Sequence, residues 1–249
     1  MIKYLAQKVM GFLLMLSFFT RLPLGNMVAY SAKTYEDGLV TFPAVGLVTG
    51  VFVMLPSIIL SQQSPLLSLL TMLVYLMVTG GIHLDGLADS CDGLFSGRSR
   101  ERTLEIMKDS HIGTFGVIAL ILYFMCFFVS ASLLSWKWLF LMPFVGKTMG
   151  YFAASISQYA REDEGMGYIF IRLIEKRSGY LYIAITASFV THFLGATGLI
   201  AMTAGLGSTY ALVRMANKTI GGQTGDTIGM IIEVSQMAFL ISGGLLWGL

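Results

Sequence analysis

Residues 80–93 read "GGIHLDGLADSCDG" and place Asp85, Asp89 and Asp92 directly after the apolar run "PLLSLLTMLVYLMVT". On a helix turning about 100° per residue, an i, i+4, i+7 spacing keeps three side chains within about 60° of arc. Carboxylates so close repel one another, and desolvation at a membrane boundary adds to that cost, so something positive must compensate. An oxygen-only cluster suits a hard cation such as Mg²⁺, which keeps waters and a substrate phosphate in its remaining positions. The plainer alternative is a solvated acidic helix end. Gly86 and Gly93 would let a phosphate or a backbone approach closely. His83 projects about 160° from the aspartate face. It could be a ligand, a general base, or an interfacial histidine satisfied by backbone.

Two further segments carry groups suited to phosphate chemistry. In "SGRSRERTLEIMKDSHIG", Arg98, Arg100, Arg102 and Lys108 follow the aspartates. Beside a metal site such basic groups suit a phosphorylated ligand, although mixed charge on a helix is often only a solvated face. In "GGQTGDTIGMIIEVSQ", glycines surround Gln223, Thr224 and Asp226 at the start of an apolar stretch. A glycine turn opening a helix presents free N–H groups and a positive dipole end, which favours anions. Glu233 stands seven residues after Asp226 on the same face, and Lys147 falls near the middle of an apolar segment. Ionisable groups at such depth pair with each other or with a ligand. Arg161 in "QYAREDEGMGY" and Arg21 in "FFTRLPL" are candidates for substrate contact or for topology anchors.

The elements that must position these groups are membrane helices. Of 249 residues, 55% are hydrophobic and 12% charged, and mean hydropathy is +0.75. That composition belongs to a polytopic membrane protein. At about 20 apolar residues per crossing, the spans fall at 38–60, 65–82, 112–135, 138–157, 179–193, 195–213 and 226–248. With segment 4–20 as an interfacial or spanning eighth, the expectation is an all-α transmembrane bundle of seven to eight segments forming a single integral membrane catalytic domain over 1–249. The runs are continuous, without the strict alternation of barrel strands. Within 179–213, "THFLGATG" carries the turn-like Gly195 and Gly198 that divide two short spans. Neither a signal-peptide cleavage site nor a disulfide framework for Cys91 and Cys126 is evident.

Loops allocated on this scheme put 21–37, 83–111, 158–178 and 214–225 on one side, with 12 of the 16 Lys and Arg. By the positive-inside rule that side is cytoplasmic. Acidic, glycine-rich and basic groups therefore gather at the cytoplasmic membrane edge. This is the outline of a Mg²⁺-dependent enzyme acting on a phosphate anhydride whose other half is membrane-associated.

At these residues the chain resembles cobalamin synthase, the adenosylcobinamide-GDP ribazoletransferase family. The resemblance is carried by "FFTRLPL" at 18–24, "TFPAVGLVTG" at 41–50, "TGGIHLDGLADSCDGLFSGRSRERTLEIMKDSHIGTFG" at 79–116, "YAREDEGMG" at 159–167 and "GGQTGDTIG" at 221–229. It implies a multi-pass inner-membrane enzyme of late vitamin B12 synthesis with its active site on the cytoplasmic face. Such an enzyme joins adenosylcobinamide-GDP to α-ribazole or its 5′-phosphate and releases GMP, with Mg²⁺ required. On this resemblance Asp85, Asp89, Asp92 and Asp226 would hold the metal. Asp92 or His83 would take the attacking hydroxyl's proton, with Asp92 preferred, and Lys108 and Arg98 would offset charge on the leaving phosphate. Arg98, Lys147, Arg161, Thr224 and Glu233 are the expected substrate contacts. The expected partners are the GDP-activated corrinoid, the ribazole and the bilayer, with no nucleic acid; an oligomer is compatible with the sequence. Two rivals remain. "DSCDG" has the Asp-x-x-Asp-Gly form of CDP-alcohol phosphotransferases, although Ser96 and Gly97 replace the Ala-Arg that should follow. A cation-coupled transporter using the carboxylates as an ion relay is the other, but no internal repeat supports it.

Overall fold

The computed structural model describes residues 2–25, 27–60, 64–162 and 165–246, so Asp163 and Glu164 of the "YAREDEGMG" segment lie outside it. The described residues form eleven helices: α1 (Ile2–Phe19), α2 (Ala32–Leu39), α3 (Phe42–Ile59), α4 (Pro65–Thr79), α5 (Ile82–Leu94), α6 (Arg100–Ile106), α7 (Thr114–Leu133), α8 (Trp136–Ser155), α9 (Met166–Leu173), α10 (Lys176–Ile220) and α11 (Gly225–Leu246). Helices dominate because a chain in lipid must satisfy its own backbone. Four of them, α3, α7, α10 and α11, are each long and apolar enough to cross a membrane, and α4 with α5 makes a fifth if that bent pair is one span. The protein is a polytopic helical membrane protein.

The 45 residues of α10 would reach about 68 Å if straight, twice a hydrocarbon core. Gly195 interrupts it with φ 65° and ψ −152°, where the sequence predicts the break. Tyr180 and Tyr210, fifteen residues to either side, both meet the Phe152 ring, at 5.3 and 5.8 Å between centroids. Only a chain that folds back at Gly195 brings both onto one ring, so the halves of α10 are two helices packed side by side.

Helix α8 reads as a span in the sequence but is buried along nearly its whole length, packed by α3, α10 and α11. Gly46 and Gly50 of α3 let the backbones touch: a Cβ at Gly50 would stand 2.0 Å from the Phe140 carbonyl oxygen. Small residues at such contacts are how membrane helices approach closely. Hydropathy alone does not separate a lipid-facing helix from one wrapped in protein, which is why α8 resembles its neighbours in composition.

Candidate active site

Helix α4 ends in two left-handed glycines, Gly80 (φ 64°) and Gly81 (φ 70°). Their conformation turns the chain by 92° into α5, so α5 leaves the path of α4 and lies across the first turns of α7 and α11. A Cβ on Gly86 would come within 2.8 Å of the Asp226 carbonyl oxygen, and one on Gly80 within 2.2 Å of Arg21 Nε. Glycine at 86 thus sets the α5–α11 approach, and Gly80 lets Arg21 settle over the bend.

Segments far apart in sequence are stitched at this end. Gln158 and Ala160 bond the backbone of Gln223 in a short parallel bridge, both N···O distances being 2.8 Å. Arg100 donates to the Ile220 carbonyl at 2.9 Å and to the Ala160 carbonyl at 2.7 Å. Thr224 and Thr227 exchange hydrogen bonds between hydroxyl and backbone N–H, closing the first turn of α11. Arg161 Nη2 then reaches Asp226 Oδ2 at 2.9 Å.

The three aspartates of α5 do not act as one face. Asp85 is exposed and Asp89 half-buried. Burial first, then the charges of Asp85, Asp226 and Asp92, push the Asp89 carboxyl up to about 6. Asp92 is buried, and its two oxygens accept from Gly113 N (2.7 Å) and Gly116 N (2.8 Å) at the opening of α7. Asp92, expected as a metal ligand and as the base, is thus tied to the start of α7. The unpaired N–H groups of a helix start draw a carboxylate strongly, and Asp92 is spent on them. Among the described residues no group of three or more His, Cys, Asp or Glu side chains is arranged to hold a metal. Asp85, Asp89 and Asp226 nonetheless share one field of negative charge, offset in part by Arg161. Mg²⁺ typically takes one or two carboxylates plus substrate phosphate and water rather than a protein cage, so the donor set fits it.

Two clefts meet at Asp85. One, of about 220 Å³, is walled by Phe19, Phe42, Phe170 and Ile232, with His83 set in its side and Asp85 and Asp226 at its edge. The other, of about 600 Å³, is lined by Thr20, Arg21, Gly80, Gly81 and Asp85 together with Phe124.

The family model for cobalamin-5-phosphate synthase matches residues 11–244. This chain belongs to that family. It is 37% identical to the adenosylcobinamide-GDP ribazoletransferase of Alkaliphilus oremlandii, over 94% of this chain and 96% of the relative. It is 39% identical to the enzyme of that name from Escherichia coli O157:H7, over 92% and 96%. No solved structure matches the chain.

For this family member the remaining expected residues fall into three groups. Arg161 and Asp226 join the aspartates of α5. Arg98 and Lys108 are exposed; Lys108 lines a shallow groove with Arg100 and Arg161 rather than either cleft. Thr224, Lys147 and Glu233, expected as substrate contacts, are fully buried. Thr224 is used in closing α11. Glu233 accepts from the Tyr75 hydroxyl at 2.6 Å and from Gln236 at 3.2 Å, and His83 Nδ1 lies 3.7 Å from it. Lys147 Nζ, without a hydrogen-bond partner among the described residues, acts on this pair through its charge. Sequence reasoning missed Arg100 as a fastener, Tyr75 as the partner of Glu233, and the place of Arg21 beside Asp85. For Arg21 the signal available was the Gly80–Gly81 pair, whose bend leaves room for a large side chain.

Proposed function

We propose that the chain is an adenosylcobinamide-GDP ribazoletransferase, transferring the phosphocobinamide group to α-ribazole or α-ribazole 5′-phosphate and releasing GMP in the cobalamin synthase step of vitamin B12 biosynthesis. The observation that carries this is the gathering of Asp85, Asp89, Asp226 and Arg161 where two clefts meet, in a member of the cobalamin-5-phosphate synthase family.

Asp89 and Asp226 hold Mg²⁺ in this reading. Mg²⁺ held there would supply positive charge to offset that of the donor diphosphate and the leaving GMP. Arg161 orients Asp226 and its charge works against the burial that raises the Asp226 carboxyl. Asp85, which makes no hydrogen bond among the described residues and borders both clefts, accepts the proton of the ribazole ribose hydroxyl. That oxygen bonds to the phosphorus carrying the cobinamide arm, and the bond from this phosphorus to GMP breaks. The reaction takes place at the cytoplasmic face of the cytoplasmic membrane, on the strength of the 12 of 16 Lys and Arg allotted to that side.

The test is GMP release by purified protein in liposomes supplied with adenosylcobinamide-GDP. Release that needs both Mg²⁺ and ribazole is expected. Release of CMP from a CDP-alcohol instead, or ion flux without turnover, would overturn the proposal in favour of a lipid head-group transferase or a transporter.

A further inference from the structure

The aromatic cleft has a composition that the metal site does not explain. Phe19 lies 4.7 Å from Phe42, Phe42 lies 5.0 Å from Phe170, and both Phe19 and Phe42 face the His83 ring, Phe19 stacked at 5.8 Å. These rings come from α1, α3 and α9, three elements with no shared sequence signal. Within this apolar wall His83 is 6% exposed, and neither of its ring nitrogens has a hydrogen-bond partner among the described residues.

We infer that this cleft seats the planar base of the acceptor nucleoside, a benzimidazole-type ring lying against Phe19, Phe42 and Phe170. The inference rests on the ribazole-transfer reading and names the part of that site which takes the acceptor. Size supports it. About 220 Å³ is below the roughly 300–1,000 Å³ of a site for a whole drug-sized ligand, so the cleft admits a bicyclic ring and not a corrin macrocycle. Polarity separates the two flat bases in the reaction. Guanine carries donors and acceptors along its whole edge, and this wall would leave most of them unpaired. A benzimidazole in a nucleoside has one free ring nitrogen and an otherwise apolar edge, so it loses little against this wall. Position supports it too. With the base inside, the ribose lies at the mouth beside Asp85 and Asp226. The second cleft reaches Asp85 from the other side and brings Arg21, a guanidinium suited to the donor's phosphates.

The test uses full-length protein in detergent or liposomes, with benzimidazole as a direct probe. Saturable binding by quenching of benzimidazole fluorescence is expected in the wild type, displaced by α-ribazole and not by guanosine. In steady state, benzimidazole competes with ribazole and leaves the KM for adenosylcobinamide-GDP unchanged. Phe19→Leu, at a half-buried position, raises the ribazole KM about tenfold, the scale of one lost stacking contact, with the donor KM within twofold. A rise in the donor KM instead, displacement by guanosine, or no saturable benzimidazole binding overturns the inference. The wild-type binding arm decides the matter even if Phe19→Leu does not fold. Because binding is read without turnover, the two readings fail separately: a wild type that binds benzimidazole but releases no GMP refutes the transferase reading, whereas one that releases GMP but binds no benzimidazole refutes the cleft assignment alone.

Discussion

Arg161 Nη2 and Asp226 Oδ2 stand 2.9 Å apart, joining the loop before α9 to the first turn of α11. The pair is only partly exposed, and the charge of Arg161 opposes that of the clustered aspartates at Asp89. Its Nε is buried and has no hydrogen-bond partner among the described residues. Arg161→Ala should therefore lower kcat for GMP release by roughly 10²–10³-fold, the scale of losing one preorganised charge-stabilising donor. Arg161→Lys should recover only part, because a point charge does not reproduce the planar fork. Single-turnover kinetics at saturating Mg²⁺ makes the comparison. A wild-type rate from Arg161→Ala would remove Arg161 from the reaction.

Asp92 gives an opposite expectation. Its two oxygens hold the N–H groups of Gly113 and Gly116, so Asp92→Asn replaces one acceptor by an NH₂ facing an amide. A buried N–H is then left unpaired, at a cost of about 1–3 kcal/mol. Thermal unfolding in detergent should show a lower Tm, while Mn²⁺ affinity, read by electron paramagnetic resonance, stays near that of the wild type. Loss of Mn²⁺ binding at unchanged Tm would return Asp92 to the metal site.

The contrast between Asp89 and Asp92 marks where sequence spacing stops being informative. An i, i+4, i+7 pattern establishes that three carboxylates share a side of α5, but not which neighbouring helix each one meets. The free amides opening α7 take Asp92, and nothing local to 80–93 announces them. Breaks were more legible. Gly195 divides α10 where the turn-like "THFLGATG" predicts, because a left-handed φ is a local requirement. Charge distribution likewise predicted that 83–111, 158–178 and 214–225 share a side, and Arg100, Ala160 and Gln223 do bond there. The aromatic cleft was not legible, since Phe19, Phe42 and Phe170 are three among 17 phenylalanines in an apolar chain. The surroundings of Glu233 and Lys147 were half visible: their depth was clear from the sequence, but not that Tyr75 and Gln236 hold Glu233.

Lys147 and Glu233 are buried together without a direct hydrogen bond, Glu233 being held by Tyr75 and Gln236. Removing one of two buried opposite charges leaves the other uncompensated, which costs about 3–5 kcal/mol, whereas removing both is often close to neutral. Lys147→Met should lower the Tm more than Lys147→Met combined with Glu233→Gln. Additive losses in that double-mutant cycle would mean that the two charges do not compensate each other.

Asp89 carries the pH dependence. Its carboxyl is raised to about 6, above an ordinary aspartate near 3.9, so between those values the folded protein binds more protons than the unfolded chain. Stability of the metal-free protein therefore falls as pH rises through that window and levels off above it. Asp89→Asn should remove this slope. In EDTA at pH 7.5 the variant should melt higher than wild type, with the advantage disappearing by about pH 4, below the unfolded-state value. Mg²⁺ binding to the wild type competes with the same proton, so affinity should weaken progressively below about pH 6 and the variant should bind the metal poorly at every pH. Melting curves across pH, with and without Mg²⁺, measure both effects. Coincident wild-type and Asp89→Asn curves in EDTA would show that Asp89 bears no repulsive charge in the folded protein.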